Sequence, residues 1–187
     1  MGIISVLVVI AVLILAYVSI YNGLVTKKIS CDTAWAQISV QLKRRLDLIP
    51  NLVETVKGYA KHEQETLERV INARNAALSA KGPQEQIAAE NALTGALRQV
   101  FALAESYPDL KANQNFLQLQ SELTSTEGQI AHSRDGYNGA VQTYNTAIQQ
   151  VPANFVAGIS GFTQRTFFEL SDGEKTAAER APQVSFS

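Results

Sequence analysis

Residues 35–77 read WAQISVQLKRRLDLIPNLVETVKGYAKHEQETLERVINARNAA and form the first long segment of the water-soluble part of the chain. From Trp35 through Ile49 to Ala77, one set of positions recurs in alternating steps of three and four. Such steps keep side chains on one face of an α-helix, so the segment predicts a helix that is buried along one side. The helix is expected to end at residues 81–83, where a lysine precedes a glycine and a proline.

Pro50 interrupts this segment and leaves two arrangements open. A proline removes one backbone donor and disfavours helical geometry at the preceding Ile49. Asp47 lies three residues earlier, where its carboxylate can cap a new helix. The helix therefore either kinks at Pro50 or divides into two there, and the unchanged register of the stripe favours the kink.

The segment that precedes it has the composition of a helix embedded in lipid. Residues 3–21 read IISVLVVIAVLILAYVSIY, and the first charged side chain of the protein is that of Lys27. About 20 helical residues cross the roughly 30 Å hydrocarbon layer of a bilayer. Tyr17 and Tyr21 suit the headgroup region. We therefore predict a transmembrane anchor over residues 1–26.

The alternative interpretation of this segment is a cleaved signal peptide. A signal peptide has a basic start, a shorter apolar core and a small-residue cleavage site, and residues 1–26 have none of these. An uncleaved anchor is therefore preferred. Because Lys27 and Lys28 flank its C-terminal end, the positive-inside rule places the water-soluble part of this single-pass protein in the cytoplasm.

Two further helices are predicted downstream, over residues 84–106 and 110–150. The second of these carries a heptad pattern, which is typical of helices packed side by side in a coiled-coil-like bundle. Its heptad positions are Phe116, Leu123, Ile130, Tyr137, Tyr144 and Val151. The predicted fold is all-α: an N-terminal transmembrane helix, then an antiparallel up-and-down bundle of long helices over residues 27–165. A polar C-terminal tail is expected over residues 166–187.

Residues 151–162, VPANFVAGISGF, are apolar and rich in glycine, which is consistent with a short helix or a turn. The segment is too short to span a bilayer. Exposed apolar patches usually mark interaction sites. We expect an interaction surface here, composed of Phe155, Val156, Ile159 and Phe162. Packing on the bundle, contact with lipid and contact with a second copy all remain open.

The sequence contains no recognisable pattern of catalytic or ligand-binding residues. The net charge of −1 predicts no strong attraction to nucleic acid, and the single Cys31 excludes an internal disulfide. His62 and Glu63 begin like the zinc-peptidase motif H-E-x-x-H, but Thr66 stands where the second histidine is needed. Neither a phosphate-binding glycine loop nor a nucleophile elbow occurs. We therefore predict a protein that is not an enzyme and has no cofactor and no metal.

Four charged residues stand in or beside the apolar stripes: Arg45, Glu63, Glu127 and Arg134. A buried unpaired charge costs several kcal/mol, so buried members of this set must pair between helices. Alternatively, they lie at the edge of the stripe and their long stems reach water. In either case we predict that they fix the register of the helices. Tyr137-Asn138 and Tyr144-Asn145 repeat one heptad apart, and each asparagine is placed to bond a neighbouring helix.

The chain resembles the bacterial LemA family. The resemblance is most specific over residues 41–63, QLKRRLDLIPNLVETVKGYAKHE, and it extends over essentially the full length. Shorter matches are Tyr21-Asn22, Trp35, Ala73-Arg74, the run from Glu105 to Leu110, Arg134, Tyr137-Asn138, Tyr144-Asn145, Pro152, Phe162, Phe168-Glu169 and Pro182-Gln183-Val184. Gly128 departs from the family, which more often has a polar or charged helix former there.

The resemblance implies a single-pass protein of the bacterial plasma (inner) membrane with a helical-bundle domain and no known enzymatic activity. Members of this family include a magnetosome membrane protein, and others occur alongside membrane zinc peptidases. Function inferred from such company is associational.

The sequence therefore predicts a non-enzymatic, membrane-anchored helical scaffold that self-associates and organises the membrane or its proteins. Its expected partners are the lipid bilayer, further copies of the chain and other membrane proteins, such as a zinc peptidase. The alternative function is an adaptor or accessory subunit of a membrane protease or envelope stress system.

Overall fold

The computed structural model of the chain describes residues 2–168. Within that range the protein has six helices and no strand, which confirms the all-α prediction. The helices are α1 (Gly2–Tyr59), α2 (Gln64–Ser79), α3 (Gly82–Ala104), α4 (Pro108–Lys111), α5 (Gln114–Gln149) and α6 (Ala153–Ser160). Most of the predicted polar tail, from residue 169 onward, lies outside the described residues.

Helix α1 runs through Pro50 without a break, so the alternative in which the helix divides there is wrong. The predicted helix instead divides after Tyr59, at a turn over residues 60–63. The weak helix propensity of Gly58 makes an ending there inexpensive. Backbone hydrogen bonds close the turn, from the N–H of Ala60 to the carbonyl of Val56 (2.9 Å) and from the N–H of Glu63 to that of Ala60 (3.2 Å).

The apolar stripe predicted over residues 35–77 keeps its register across this turn because α1 before the turn and α2 after it both face one core. The chain forms two compact units, and the second comprises residues 41–129 and Phe168. Its apolar core is drawn from α1, α2, α3, α4 and the first part of α5. The buried core residues are Leu46, Ile49, Leu52, Val53, Val56, Ala60, Leu67, Val70, Leu93, Ala96, Leu97, Val100, Ala104, Leu110, Phe116 and Leu123.

Polar contacts give the directions of the helices in this unit. Arg74 Nε on α2 donates to the carbonyl of Leu46 on α1 (3.0 Å), although the two helices are joined at their other ends. They are therefore antiparallel. Arg69 on α2 likewise donates to Gln99 on α3 (3.2 Å), which makes α2 and α3 antiparallel as well. With α5 these helices make the predicted up-and-down arrangement.

Helix α5 begins four residues later than predicted because Asn113 caps it. The side-chain oxygen of Asn113 accepts the backbone N–H of Phe116 (3.0 Å), a typical N-cap bond. Its amide nitrogen donates to the Tyr59 hydroxyl at 2.9 Å. Before the cap, Pro108 begins the single-turn helix α4, in line with the preference of proline for the first turn of a helix.

The first unit comprises residues 2–40 and 130–167. Trp35 on α1 packs edge-on against Tyr137 on α5, with ring centroids 5.3 Å apart. The heptad residues from Phe116 to Tyr144 are all buried, as their spacing predicted, whereas Val151 lies beyond the end of α5 and is 74 % exposed.

Within residues 151–162 the chain forms the short helix α6 (Ala153–Ser160) rather than a turn alone. Gly161 ends it with a left-handed backbone angle (φ 71°), which a residue without a Cβ adopts at no steric cost. The N–H of Phe162 then reaches back to the carbonyl of Ala157 at 3.0 Å.

The start of α1 differs from the rest of the fold. Its side chains from Ile3 to Val18 are exposed, and the most apolar stretch of the helix has a mean hydropathy of 3.1 with none of it buried. Among residues 2–168, α1 is the one helix long and apolar enough to span a membrane. The structure therefore retains the predicted anchor as a candidate span, and this span continues directly into the part of α1 that packs on α5.

Candidate functional site: a buried charge cluster, a tethered strap and two exposed surfaces

Arg45 is the centre of a buried charge cluster in the second unit. Its side chain is 2 % exposed, and its Nη1 donates to the carboxylate of Glu90 and to the hydroxyl of Thr94 (3.1 Å), both on α3. Its Nη2 lies 3.7 Å from a carboxylate oxygen of Glu127 on α5. One guanidinium thus joins three helices.

The structure brings together two of the four predicted register charges, Arg45 and Glu127. Glu63 lies in the turn between α1 and α2, where its carboxylate accepts the hydroxyl of Tyr107 (3.1 Å); this bond raises the pKa of that phenol. Arg134 is half-buried on α5, in the other unit. A register role for the four residues stays a prediction.

Glu90 is the main partner of Arg45 and was missed in the sequence. It falls on the apolar stripe of α3, three residues after Ile87 and three before Leu93, so the criterion that singled out Arg45 also applied to it. The carboxylate side chain is 6 % exposed and already engaged by Arg45. The buried charges of Arg45 and Glu90 therefore neutralise each other, which suits a structural role.

In the first unit, an extended strap of residues 163–167 follows α6 and is tied to α5. The hydroxyls of Tyr144 and Tyr137 donate to the carbonyls of Thr163 and Thr166, each at 3.0 Å. The amide of Asn145 both donates to the carbonyl of Arg165 and accepts its N–H, each at 2.8 Å.

The predicted bond from Asn145 to a neighbouring helix is therefore wrong, because its amide bonds the strap instead. The backbone N–H and C=O groups of an extended segment are free to accept such a partner, whereas those inside a helix already bond one another. Arg165 also pairs with Asp32 on α1 at 2.7 Å, so the strap is held to both long helices.

Burial raises the pKa of three groups beneath the strap. The thiol of Cys31 and the phenols of Tyr137 and Tyr144 all have raised pKa values, chiefly because burial disfavours their charged forms. The nearby Arg165 guanidinium acts in the opposite direction on all three. Cys31 is fully buried and stays protonated near neutral pH, as expected of an inert thiol.

The predicted interaction surface on α6 is divided by the fold. Val156 is buried, and Phe162 is half-buried against the ring of Tyr21 (centroids 5.6 Å apart). Phe155 and Ile159 remain exposed. Val151, in the turn just before α6, is exposed as well, and we call Val151, Phe155 and Ile159 together the exposed stripe.

An open groove of about 740 Å³ lies between α1 and α2 in the second unit. Its floor is apolar and its rim carries both signs of charge. It is lined by Val53, Glu54, Lys57, Gly58, Ala60, Lys61, Gln64, Leu67, Glu68 and Ile71. In the part of the chain that the structure describes, no group of three His, Cys, Asp or Glu side chains is placed to hold a metal ion.

Comparison with known proteins identifies the family. The sequence pattern of the LemA family matches residues 34–186, which is most of the chain. The chain belongs to the LemA family. The resemblance found in the sequence is thereby confirmed, and the match includes all of α2 to α6.

Two kinds of curated relative are similar to this LemA-family protein. Protein LemA of Metamycoplasma hominis is 28 % identical over 163 residues, covering 85 % of this chain and 73 % of its own length. Magnetosome protein MamQ 2 of Paramagnetospirillum magneticum is 25 % identical over 175 residues, and the match covers 80 % of this chain. The aligned region spans only 64 % of the length of MamQ 2. None of these names is that of an enzyme.

Replacing Arg45 with methionine is expected to destabilise this LemA-family protein by about 3–5 kcal/mol, because Glu90 is left buried without its cation. Adding Glu90→Leu should recover much of the loss. Arg44→Met removes an exposed neighbouring arginine and should stay within about 0.5 kcal/mol of the wild type. Urea unfolding followed by circular dichroism measures all four proteins. An unchanged transition for Arg45→Met would show that the cluster contributes little.

The raised pKa values beneath the strap predict a loss of stability at alkaline pH. The folded protein keeps the protons of Tyr137 and Tyr144 at pH values where the unfolded chain releases them. Stability is therefore complete below the pKa of an unfolded tyrosine, about 10, and declines as the pH rises from there through the folded values. Thermal melts between pH 8 and pH 11 should show this decline. Tyr144→Phe should start lower but decline less steeply than the wild type. Parallel curves for the two proteins would contradict the assignment.

Proposed function

We propose that this LemA-family protein is a non-enzymatic scaffold anchored in the plasma membrane by the first part of α1. Its helical units bind further copies of the chain and other membrane proteins, and so organise them in the plane of the membrane. The soluble part lies in the cytoplasm, on the side of Lys27 and Lys28.

The continuity of α1 is the observation that carries this proposal. The exposed apolar run and the buried residues Leu24, Cys31 and Ile38 belong to one unbroken helix. A helix of this kind has no flexible linker between the candidate span and the packed residues that follow it. An anchor of this design fixes the position of its domain relative to the bilayer, as a scaffold requires, whereas a flexible tether would leave the domain free to rotate.

The nature of the described sites also favours contact over catalysis. The buried charges of Arg45 and Glu90 are already paired. The polar groups of Tyr137, Tyr144 and Asn145 are occupied by the backbone of the strap. The groove between α1 and α2, in contrast, is open to a partner. Its rim carries the cations Lys57 and Lys61 and the anions Glu54 and Glu68. An apolar floor with a rim of mixed charge resembles the anatomy of protein–protein interfaces.

We assign the contact between copies to this groove. A bilayer confines the anchored chains to two dimensions, so that a weak contact is strengthened by the high local concentration. The adaptor function uses the same groove but fills it with one different membrane protein.

Reversing the charges of Lys57 and Lys61 to glutamate should shrink the particle that the full-length protein forms in mild detergent and in lipid nanodiscs. The changes remove the positive half of the rim and leave the helices intact, which circular dichroism can check. The matched control is Lys43→Glu with Arg44→Glu, two exposed cations on α1 that lie outside the groove. Light scattering coupled to chromatography gives the mass. A wild-type protein that is monomeric in both media, but captures one partner in membrane crosslinking, would replace the scaffold with the adaptor.

The cytoplasmic orientation can be tested with an introduced thiol. Cys31 is buried and unsuitable as a probe, so Ser79→Cys in a Cys31→Ala background supplies an exposed cysteine at the end of α2. A membrane-impermeant maleimide should label this cysteine only after the cells are lysed. Labelling of intact cells would place the domain outside the cytoplasm.

A further inference from the structure

We propose that α6 lies in the membrane interface, with Val151, Phe155 and Ile159 inserted among the lipids beside the point where α1 leaves the bilayer. The protein would thus be held at two points, by a spanning helix and by a short interfacial one. This inference rests on the proposed function, because it takes the first part of α1 as the span.

The contacts of α6 fix its depth. The hydroxyls of Tyr17 and Ser160 are hydrogen-bonded at 3.0 Å, and Phe162 packs on Tyr21. If the span begins at Ile3, about 20 residues reach Asn22, which places Tyr17 about 7.5 Å inside the exit point. Interfacial helices bury their apolar faces about 5–10 Å into the boundary between headgroups and acyl chains. The end of α6 therefore lies at the depth of such helices.

The outward side of α6 has no cover within the described chain. Val151, Phe155 and Ile159 are 74 %, 66 % and 79 % exposed, more than any other large apolar side chain described after Tyr21. On the opposite side, Val156 and Ala157 are buried. The helix thus packs one side on the protein and leaves Phe155 and Ile159 uncovered on its other side, and Val151 just before it is uncovered too.

The charge distribution agrees with a location at the lipid boundary. Residues 136–164 contain no Lys, Arg, Asp, Glu or His. This uncharged run includes the last part of α5, where Tyr137 contacts Trp35, and continues into α6, where Ser160 contacts Tyr17 nearer the apolar start of α1. On α1 the first charges are those of Lys27 and Lys28. Both helices are therefore uncharged at the end where α6 lies, and charged groups are costly in lipid.

Two other occupants of the stripe are less suited to it. The C-terminal segment of this chain carries six charged residues, which are Glu169, Asp172, Glu174, Lys175, Glu179 and Arg180. A segment of that composition is a poor cover for three apolar side chains. A second copy of the chain would need an interface of about 800 Å² on each partner, far more than three side chains provide. The hydrocarbon of a lipid layer is itself apolar, and a few inserted side chains can contact it without a large complementary interface.

Fluorescence quenching by lipids that carry a nitroxide, either near the headgroup or deep in the acyl chain, tests the inference on the full-length protein. In a Trp35→Phe background, single tryptophans are introduced by Ile159→Trp, Val12→Trp and Leu78→Trp, all at exposed apolar positions. Each protein is reconstituted into vesicles of phosphatidylcholine and phosphatidylglycerol. The tryptophan at 159 should lose most of its fluorescence to the shallow quencher, that at 12 to the deep one, and that at 78 to neither. Phe155→Trp should repeat the result for position 159.

The outcomes separate this inference from the proposed function. Deep quenching at position 12 without any quenching at 159 and 155 would leave the anchor in place and overturn the interfacial helix. Absence of quenching at position 12 would remove the anchor itself. Quenching at 159 that grows when the protein is diluted with excess lipid would show that a second copy covers the stripe, which also overturns the inference. Equal quenching of positions 78 and 159 would mean that the stripe is no more lipid-exposed than the rest of the surface.

Discussion

Helix α1 is unbroken from Gly2 to Tyr59, so one continuous helix must carry side chains that suit first lipid and then a protein core. Its start is apolar on all sides, and its later turns are apolar on one face only. A helix in lipid has to be uncharged all around, whereas a helix against a core needs a single stripe. The rest of the fold consists of shorter helices that cover this stripe, and the places where they do so are set by the geometry of α1.

Covering the stripe requires a solution for the charges that lie on it. Arg45 occupies a position that the periodicity reserves for an apolar side chain, and its guanidinium is almost completely buried. Such a group is tolerated because Glu90, Thr94 and Glu127 meet it from α3 and α5. A buried pair of this kind adds little net stability, but the loss of one partner is costly, so the pair restricts which helix registers are acceptable. The backbone groups of the strap are satisfied in a similar way by Tyr137, Tyr144 and Asn145.

The proposed organisation gives different functions to the two units. In the first unit, the uncharged region made of the start of α1, the last part of α5 and α6 suits the lipid boundary. The groove between α1 and α2, with its rim of both charges, suits a protein partner in water. Neither surface requires a reacting group, and a scaffold that works through contact alone needs only the stability of the helices that present its surfaces. The LemA family match extends over α2 to α6, so the groove and the short helix both lie in the region shared with the family.

The sequence by itself determined the helical class, the candidate span, the heptad stripe of α5 and the family, because each of these depends on local composition and periodicity. The positions of the helix ends were less well determined. Both Ala60 and Leu67 are buried in the same core, so the stripe continued through the turn at residues 60–63 and concealed it. Only the tertiary structure could decide which charges meet. Arg45 and Glu90 are far apart in sequence, and their pairing depends on the register between α1 and α3, which no periodicity within one helix encodes. The division of the α6 surface into buried Val156 and exposed Ile159 has the same cause, since it depends on contacts with a distant segment, such as those of Ser160 with Tyr17 and of Phe162 with Tyr21.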